Sequence, residues 1–368
     1  MLMVIKKVAF YFLLLIIILI LSFLAYRYIM QKKILNAAKE QTRNNGISEM
    51  VELEVNGTKQ YLLIEGKDVH KPVILFLHGG PGQPLPFGVS SRGVHPRITE
   101  DFVAVYYDQR GSGKSYHKDI PIETMKIEQF LKDTDVVVDY LLKRFETDEI
   151  YVSGLSWGSI LGMKYIHQHP EKVKAYFGIS QFVNNAETQK RTRDWLLQIA
   201  EKNNDEKMKD KILSFGNPPY LIEDEEIFSE YMRAHGGDNY SNDEIPKVDI
   251  IGDYVKPMIF SPDYTLGDIY KVLVSGANFS LFEAKDLAKE IQLEVNLKEE
   301  IEEIKVPIYI FQGKHDKSTD YGLAKEFFDS VKTKEVKEFI ELDQSAHYPS
   351  EEDFKEYLQK MIEVSKQS

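Results

Sequence analysis

The run Ile150-Tyr151-Val152 leads into Gly154-Leu155-Ser156-Trp157-Gly158, and an apolar pattern at helical spacing (Ile160, Leu161, Tyr165) leaves it. A strand that turns into a helix within five residues holds the serine in a cramped turn, which is why glycines flank it. Such a junction commits the chain to strands joined by crossover helices, and so to an α/β architecture. The plainer reading of the same residues is an ordinary strand-to-helix turn whose serine caps the helix. A second glycine-rich exit weighs against that. The apolar run Val73-Ile74-Leu75-Phe76-Leu77 ends in His78-Gly79-Gly80-Pro81-Gly82, a loop with few side chains, where backbone N–H groups can approach a ligand closely.

Strand-like and helix-like segments alternate through much of the chain. Segments 50–55 and 60–64 flank Asn56-Gly57, a hairpin signal. Segments 102–107, 149–153, 172–179, 307–311 and 337–341 read as strands, and 127–145, 156–169 and 323–331 as helices. This predicts a mostly parallel central sheet covered on both faces. From about residue 182 to 300 the rhythm breaks into charged, helical sequence. Residues 183–300 hold 24 acidic and 14 basic side chains, so their net of −10 accounts for most of the chain's −12. We expect this insertion to form a cap over the C-terminal edge of the sheet, where open α/β sheets place their ligands. The expected organisation is a membrane anchor (1–30), a linker (31–48), a core (49–181 and 301–368) and a cap (182–300).

No residue from Val8 to Tyr26 is charged, and nineteen helical residues span about 28 Å, close to the hydrocarbon core of a bilayer. No small-x-small cleavage site closes the run, which continues into Arg27-Tyr28-Ile29-Met30. A lipoprotein anchor needs a cysteine, and the chain has none. That absence also excludes disulfides, thiolate zinc sites and a cysteine nucleophile. An uncleaved single-pass anchor in the cell membrane is therefore expected. Lys6 and Lys7 precede the span while Arg27, Lys32 and Lys33 follow it, a bias that favours a cytoplasmic body. The short basic tail before an apolar run also reads as a signal anchor that exports the downstream chain, and the body is expected on the extracytoplasmic side. The net negative charge argues against a nucleic-acid partner.

A serine hydroxyl is a weak nucleophile and needs a base, which in turn needs an orienting acid. His347 lies just past segment 337–341, and Asp316 ends the loop after segment 307–311. The chain order Ser156, Asp316, His347 is the one that strand exits in this architecture supply. Asp320 is the competing acid, and His315, His167 and His169 read as bystanders. Two backbone N–H groups, from Trp157 and Gly79, are expected to form an oxyanion hole, with Gly80 the other candidate for the second donor. Gly111-Ser112-Gly113-Lys114-Ser115 looks like a phosphate loop, but the Walker spacing needs a glycine where Asp108 stands. Asp108-Gln109-Arg110-Gly111 reads instead as a structural turn anchored by Arg110. No metal site and no cofactor are expected.

The strings His78-Gly-Gly-Pro-Gly82, Asp108-Gln-Arg-Gly-Ser-Gly-Lys-Ser115, Gly154-Leu-Ser-Trp-Gly-Ser159, Gly313-Lys-His-Asp316 and Ser345-Ala-His347 together resemble the proline iminopeptidase group of α/β-hydrolases, peptidase family S33. The resemblance covers roughly residues 50–180 and 300–365. It implies an α/β-hydrolase fold, Ser156 as nucleophile, Asp316 as acid, His347 as base, and Gly79 and Trp157 as oxyanion donors. It also implies an aminopeptidase that releases N-terminal residues from short peptides. In that family cap carboxylates hold the peptide's amino terminus, one of them marked by a Trp-Glu pair. Here Trp195 is followed by Leu196, and Glu283, which lies at a comparable distance before the acid loop, is the candidate that the resemblance leaves. A carboxylesterase or lipase-like hydrolase with the same triad is the alternative, with a non-catalytic binding protein on this scaffold the more remote one.

Overall fold

The computed structural model describes residues 1–220 and 222–367. Eight strands form one sheet in the order β1-β2-β4-β3-β5-β6-β7-β8. β1 (Ile47–Val55) and β2 (Thr58–Gly66) are joined by Asn56 and Gly57, whose φ values of 45° and 78° supply the left-handed pair that a tight hairpin requires. β2 runs antiparallel to β4 (Val103–Asp108). From there β3 (Val73–Leu77), β5 (Ile150–Leu155), β6 (Val173–Ile179), β7 (Ile308–Gly313) and β8 (Lys337–Leu342) pair in parallel.

Every residue of β3 and β4 is buried, as expected for strands with helices on both sides. Side chains alternate between two cores. Leu75, Leu77, Val105 and Val152 pack with Val137 and Leu141 of α2 (Ile127–Phe145) and with Ile160 of α3 (Trp157–Gln168). Ile74, Phe76, Ala104 and Tyr151 face the other way, toward Tyr357, Met361 and Ile362 of the last helix. Parallel strands with helices on both faces and a helical insertion make this an α/β-hydrolase fold.

Between β6 and β7 the chain is helical. α4 (Asn185–Asn203) and α5 (Ile222–Ala234) close a small core of their own around Leu196, Ala200, Met208, Ile212 and Phe228. Residues 250–300 alternate α and π turns, including a continuous helical run from Leu266 to Glu283.

The apolar N-terminus is one helix, α1 (Leu2–Gln41), and none of its most apolar stretch is buried among the described residues. In the segment expected to be a partly helical linker, the helix runs on through Gln41, and β1 begins at Ile47. The reason is local contact. Arg27 Nε and Nη2 donate to the carbonyls of Ile259 (2.8 Å) and Tyr264 (2.5 Å), Gln31 donates to Ser261 O (2.8 Å), and the Tyr26 ring meets Phe260 edge-on. The helix is thus pinned to the cap where its apolar run ends.

Candidate active site

Ser156 sits between β5 and α3 at φ 52°, ψ −116°, a conformation that costs a non-glycine residue about 1–3 kcal/mol. The turn is held by the Ser156 N–H donating to Ile179 O (3.1 Å). Close approach explains the flanking glycines. A Cβ on Gly154 would lie 2.5 Å from Gly158 O, and one on Gly158 would lie 2.0 Å from Leu77 O. The loop after β3 lies against the serine, because a Cβ on Gly79 would meet Ser156 Cβ at 3.5 Å. Trp157 opens α3, so its N–H has no acceptor within the helix. The backbones of Gly79 and Trp157 therefore both border Ser156.

One side chain stitches these loops together, and sequence reasoning missed it. Gln109 Oε1 accepts from the Trp157 indole N–H (2.9 Å), its amide donates to His78 O (3.3 Å), and its backbone N–H donates to His78 Nε2 (3.2 Å). His78 Nδ1 faces Gly79 O at 2.6 Å. Burial lowers the His78 pKa to about 4, outweighing that carbonyl contact, so a neutral ring with its proton on Nδ1 fits both partners. Arg110 behaves as the turn anchor expected of it, with its guanidinium buried against Asp133 (2.7 Å). Asp108 accepts from Tyr264 Oη (2.6 Å) and from the N–H groups of Val89 and Lys114, yet burial still pushes its pKa up to about 6.

Asp316 is fully buried after β7. Its Oδ1 accepts from Ser318 N (2.8 Å) and Thr319 N (2.9 Å), and its Oδ2 from Thr319 Oγ1 (2.7 Å), Gln312 Nε2 (3.0 Å) and His347 Nδ1 (3.1 Å). That many donors to a single carboxylate fix its orientation toward the imidazole. Burial works against a charged His347. The charge and hydrogen bond of Asp316 outweigh it, with Asp238 adding to them, and the His347 pKa is raised. Asp320, the competing acid, caps the helix α6 (Tyr321–Ser330) and pairs with Arg191 and Lys317. His315 stacks on Tyr240, His167 faces Glu303 O, and His169 lies against Tyr165.

Ser156 and His347 line two adjoining chambers. One, of about 240 Å³, is walled by apolar groups such as Phe87, Tyr254, Val255 and Leu273. The other, of about 210 Å³, contains Asn185, Glu225, Ser280 and Gln292. The structure does not bring Glu283 here. That side chain is exposed, accepts from Asn278, and belongs to neither chamber wall. The cap carboxylate in the cavity is Glu225 of α5, which accepts from the amides of Asn185 (3.5 Å), Gln189 (3.3 Å) and Gln292. Burial raises its pKa against those hydrogen bonds, and no cation pairs with it among the described residues.

A family model described as serine aminopeptidase, S33, matches residues 97–231. The chain is 33% identical over 310 residues to the "Probable aminopeptidase YbaC" of Bacillus subtilis (strain 168), covering 82% of this chain and 92% of that protein. Among solved structures, the proline iminopeptidase of Mycobacterium smegmatis superposes with a TM-score of 0.55 at 13% identity, over 87% of this chain and 98% of that one. The proline iminopeptidase-related protein of Thermus thermophilus gives 0.51 at 16%, over 86% and 98%. At such identities the structures speak for the fold alone, while the Bacillus relative speaks for kinship. The chain belongs to the proline iminopeptidase-like α/β-hydrolases of the S33 serine aminopeptidase family.

Proposed function

We propose that this protein is a membrane-anchored serine hydrolase that removes N-terminal residues from short peptides through an acyl-enzyme, with residues 182–300 as the substrate-selecting cap. One observation carries the reading: a single cavity system holds a strained serine, a histidine bonded to a buried carboxylate, and a second carboxylate that no cation pairs with among the described residues. Ser156 Oγ attacks the scissile carbonyl carbon as its proton passes to His347 Nε2. The oxyanion that forms is met by the N–H groups of Trp157 and Gly79, each such donor typically worth about 2.7–4 kcal/mol of barrier. The C–N bond breaks as His347 returns the proton to the leaving nitrogen, and water then attacks the ester, its proton passing through His347 to Ser156 Oγ. Asp316 holds the imidazole with Nε2 facing the serine and stabilises its charged form. Glu225 receives the substrate's ammonium, which supplies the cation that its three amide partners lack.

The apolar chamber favours a second reading, a carboxylesterase with the same triad. A panel of alanyl- and prolyl-arylamides beside p-nitrophenyl esters, run on wild type and Ser156→Ala, separates the two. Arylamide turnover that falls about 10⁴-fold or more in the mutant is expected, because the triad acts as a unit. Ester turnover alone would reject the peptidase assignment. The anchor is supported by the length and exposure of the apolar part of α1, and retention of the full chain in membranes through an alkaline carbonate wash checks it.

A further inference from the structure

The helical run from Leu266 to Glu283 presents Leu266, Tyr270, Leu273, Val274 and Phe282 to solvent, each 43–59% exposed, while Ile269, Val272 and Ala277 are buried beneath them. Three of the five, Leu266, Tyr270 and Val274, recur at four-residue steps, and Phe282 stands two such steps further on, past the exposed Asn278. A π turn takes one residue more than an α turn, so alternating the two keeps that step near one face. Exposed apolar side chains gathered along one stretch of a soluble surface mark an interaction site. Its position says what covers it. The uncharged run of α1 ends at Tyr26, and the next residue, Arg27, is bonded to Tyr264 O. Leu266 lies two residues past Tyr264, at most about 7 Å of chain, so the stripe begins beside the point where α1 leaves its apolar stretch. Tyrosines at 26, 28 and 270 and cations at 27, 32 and 33 are the residue types that collect at a headgroup layer. Leu273 belongs both to the stripe and to the wall of the apolar chamber at Ser156.

We propose that this cap stripe rests in the headgroup layer of the bilayer that α1 crosses, and that the apolar chamber draws from it the hydrophobic part of an amphiphilic substrate carrying a free amine. The proposal rests on the anchor and aminopeptidase readings above. The reaction is unchanged: the amine-bearing acyl group passes to Ser156, and the hydrophobic amine leaves with the proton from His347.

The chain has no cysteine, so single cysteines in the full-length protein can be labelled one at a time with an environment-sensitive fluorophore. Leu15→Cys reports the span, Val274→Cys the stripe, and Val336→Cys a control, exposed just before β8 at the end of the sheet away from the cleft. In phosphatidylcholine–phosphatidylglycerol vesicles containing doxyl lipids, quenching is expected at 15 and 274 and not at 336. Quenching at 15 with none at 274 beyond the control overturns the proposal and leaves the anchor standing. No quenching at 15 removes the anchor and the proposal with it. In a second arm, the Leu266→Glu/Val274→Glu double variant is expected to lose about tenfold on vesicle-borne alanyl-dodecylamide through weakened interfacial seating. Its activity on soluble alanyl-4-nitroanilide should stay within about twofold of wild type. Equal loss on both substrates, or none on either, rejects the delivery role. A wild type inert to both substrates fails the aminopeptidase reading and the delivery role, while the quenching arm still decides the seating.

Discussion

At Glu225 three neutral amides converge on one carboxylate that no cation neutralises among the described residues. Its pKa is raised in the folded protein, so charge at this site lowers stability above the folded pKa, and that loss disappears as pH falls below the unfolded value near 4.3. Glu225→Gln is expected to raise the melting temperature at pH 7.5 by about 2 °C and to change it little at pH 4. The same variant should lower kcat/KM on free-amine arylamides by about 10–100-fold, the size of a lost charge-assisted contact, and spare N-acetylated esters. His347 runs the opposite way. Its raised pKa adds stability below the ordinary value of 6.5, and this is lost as pH rises through the folded pKa. Catalysis needs the neutral ring, so the acidic limb of kcat/KM should lie above pH 6.5, and Asp238→Asn should move it downward. Ser156, Asp316 and His347 were legible because short motifs at strand exits carry them. Glu225 was not, since in Glu223-Asp224-Glu225-Glu226 it looks like any solvated acidic face. Gln109 acts through contacts between distant loops, for which single-chain spacing holds no signal, while Gln312 and Thr319 bond Asp316 within its own stretch of chain but belong to no motif that marks them.

The strands and the helices of the core were readable from periodicity and turn chemistry. Asn56-Gly57 gave away its hairpin, and α2 spans Ile127–Phe145, the range that its apolar spacing predicts. One element was not read. The last helix, α7 (Glu351–Gln367), escaped notice although Tyr357, Met361 and Ile362 pack against one face of the sheet. The polar spacer after residue 30 reads as partly helical and α1 does continue to Gln41, although polar helix formers look alike in a tether and in a helix and leave that end unmarked. At the elbow the element-scale prediction is severe. A methyl at 158 would stand 2.0 Å from the carbonyl of Leu77, which is backbone and cannot turn aside. Gly158→Ala should therefore displace α3 from β3, costing about 3 kcal/mol or more, as checked by urea unfolding beside loss of arylamide turnover.

Over the whole molecule, cap and core meet through buried polar contacts as well as apolar ones. Arg92 clamps Asp263 through two hydrogen bonds of 2.6 and 2.8 Å, and the Tyr264 hydroxyl reaches Asp108. Removing one partner of such a pair leaves an uncompensated charge, so Arg92→Met should cost about 3–5 kcal/mol, read as a lower urea midpoint of the full-length protein. The stretch these contacts secure, 259–264, is also the one that Arg27 and Gln31 grip. It follows directly on Ile250, Tyr254 and Val255, which wall the apolar chamber. A forty-residue helix is a stiff rod. Once such a rod crosses a lipid sheet, its tilt adjusts to the thickness of that sheet. If α1 crosses a bilayer as proposed, a change of its tilt would bear on the 259–264 stretch that this grip holds, and through it on the neighbouring segment that walls the cleft.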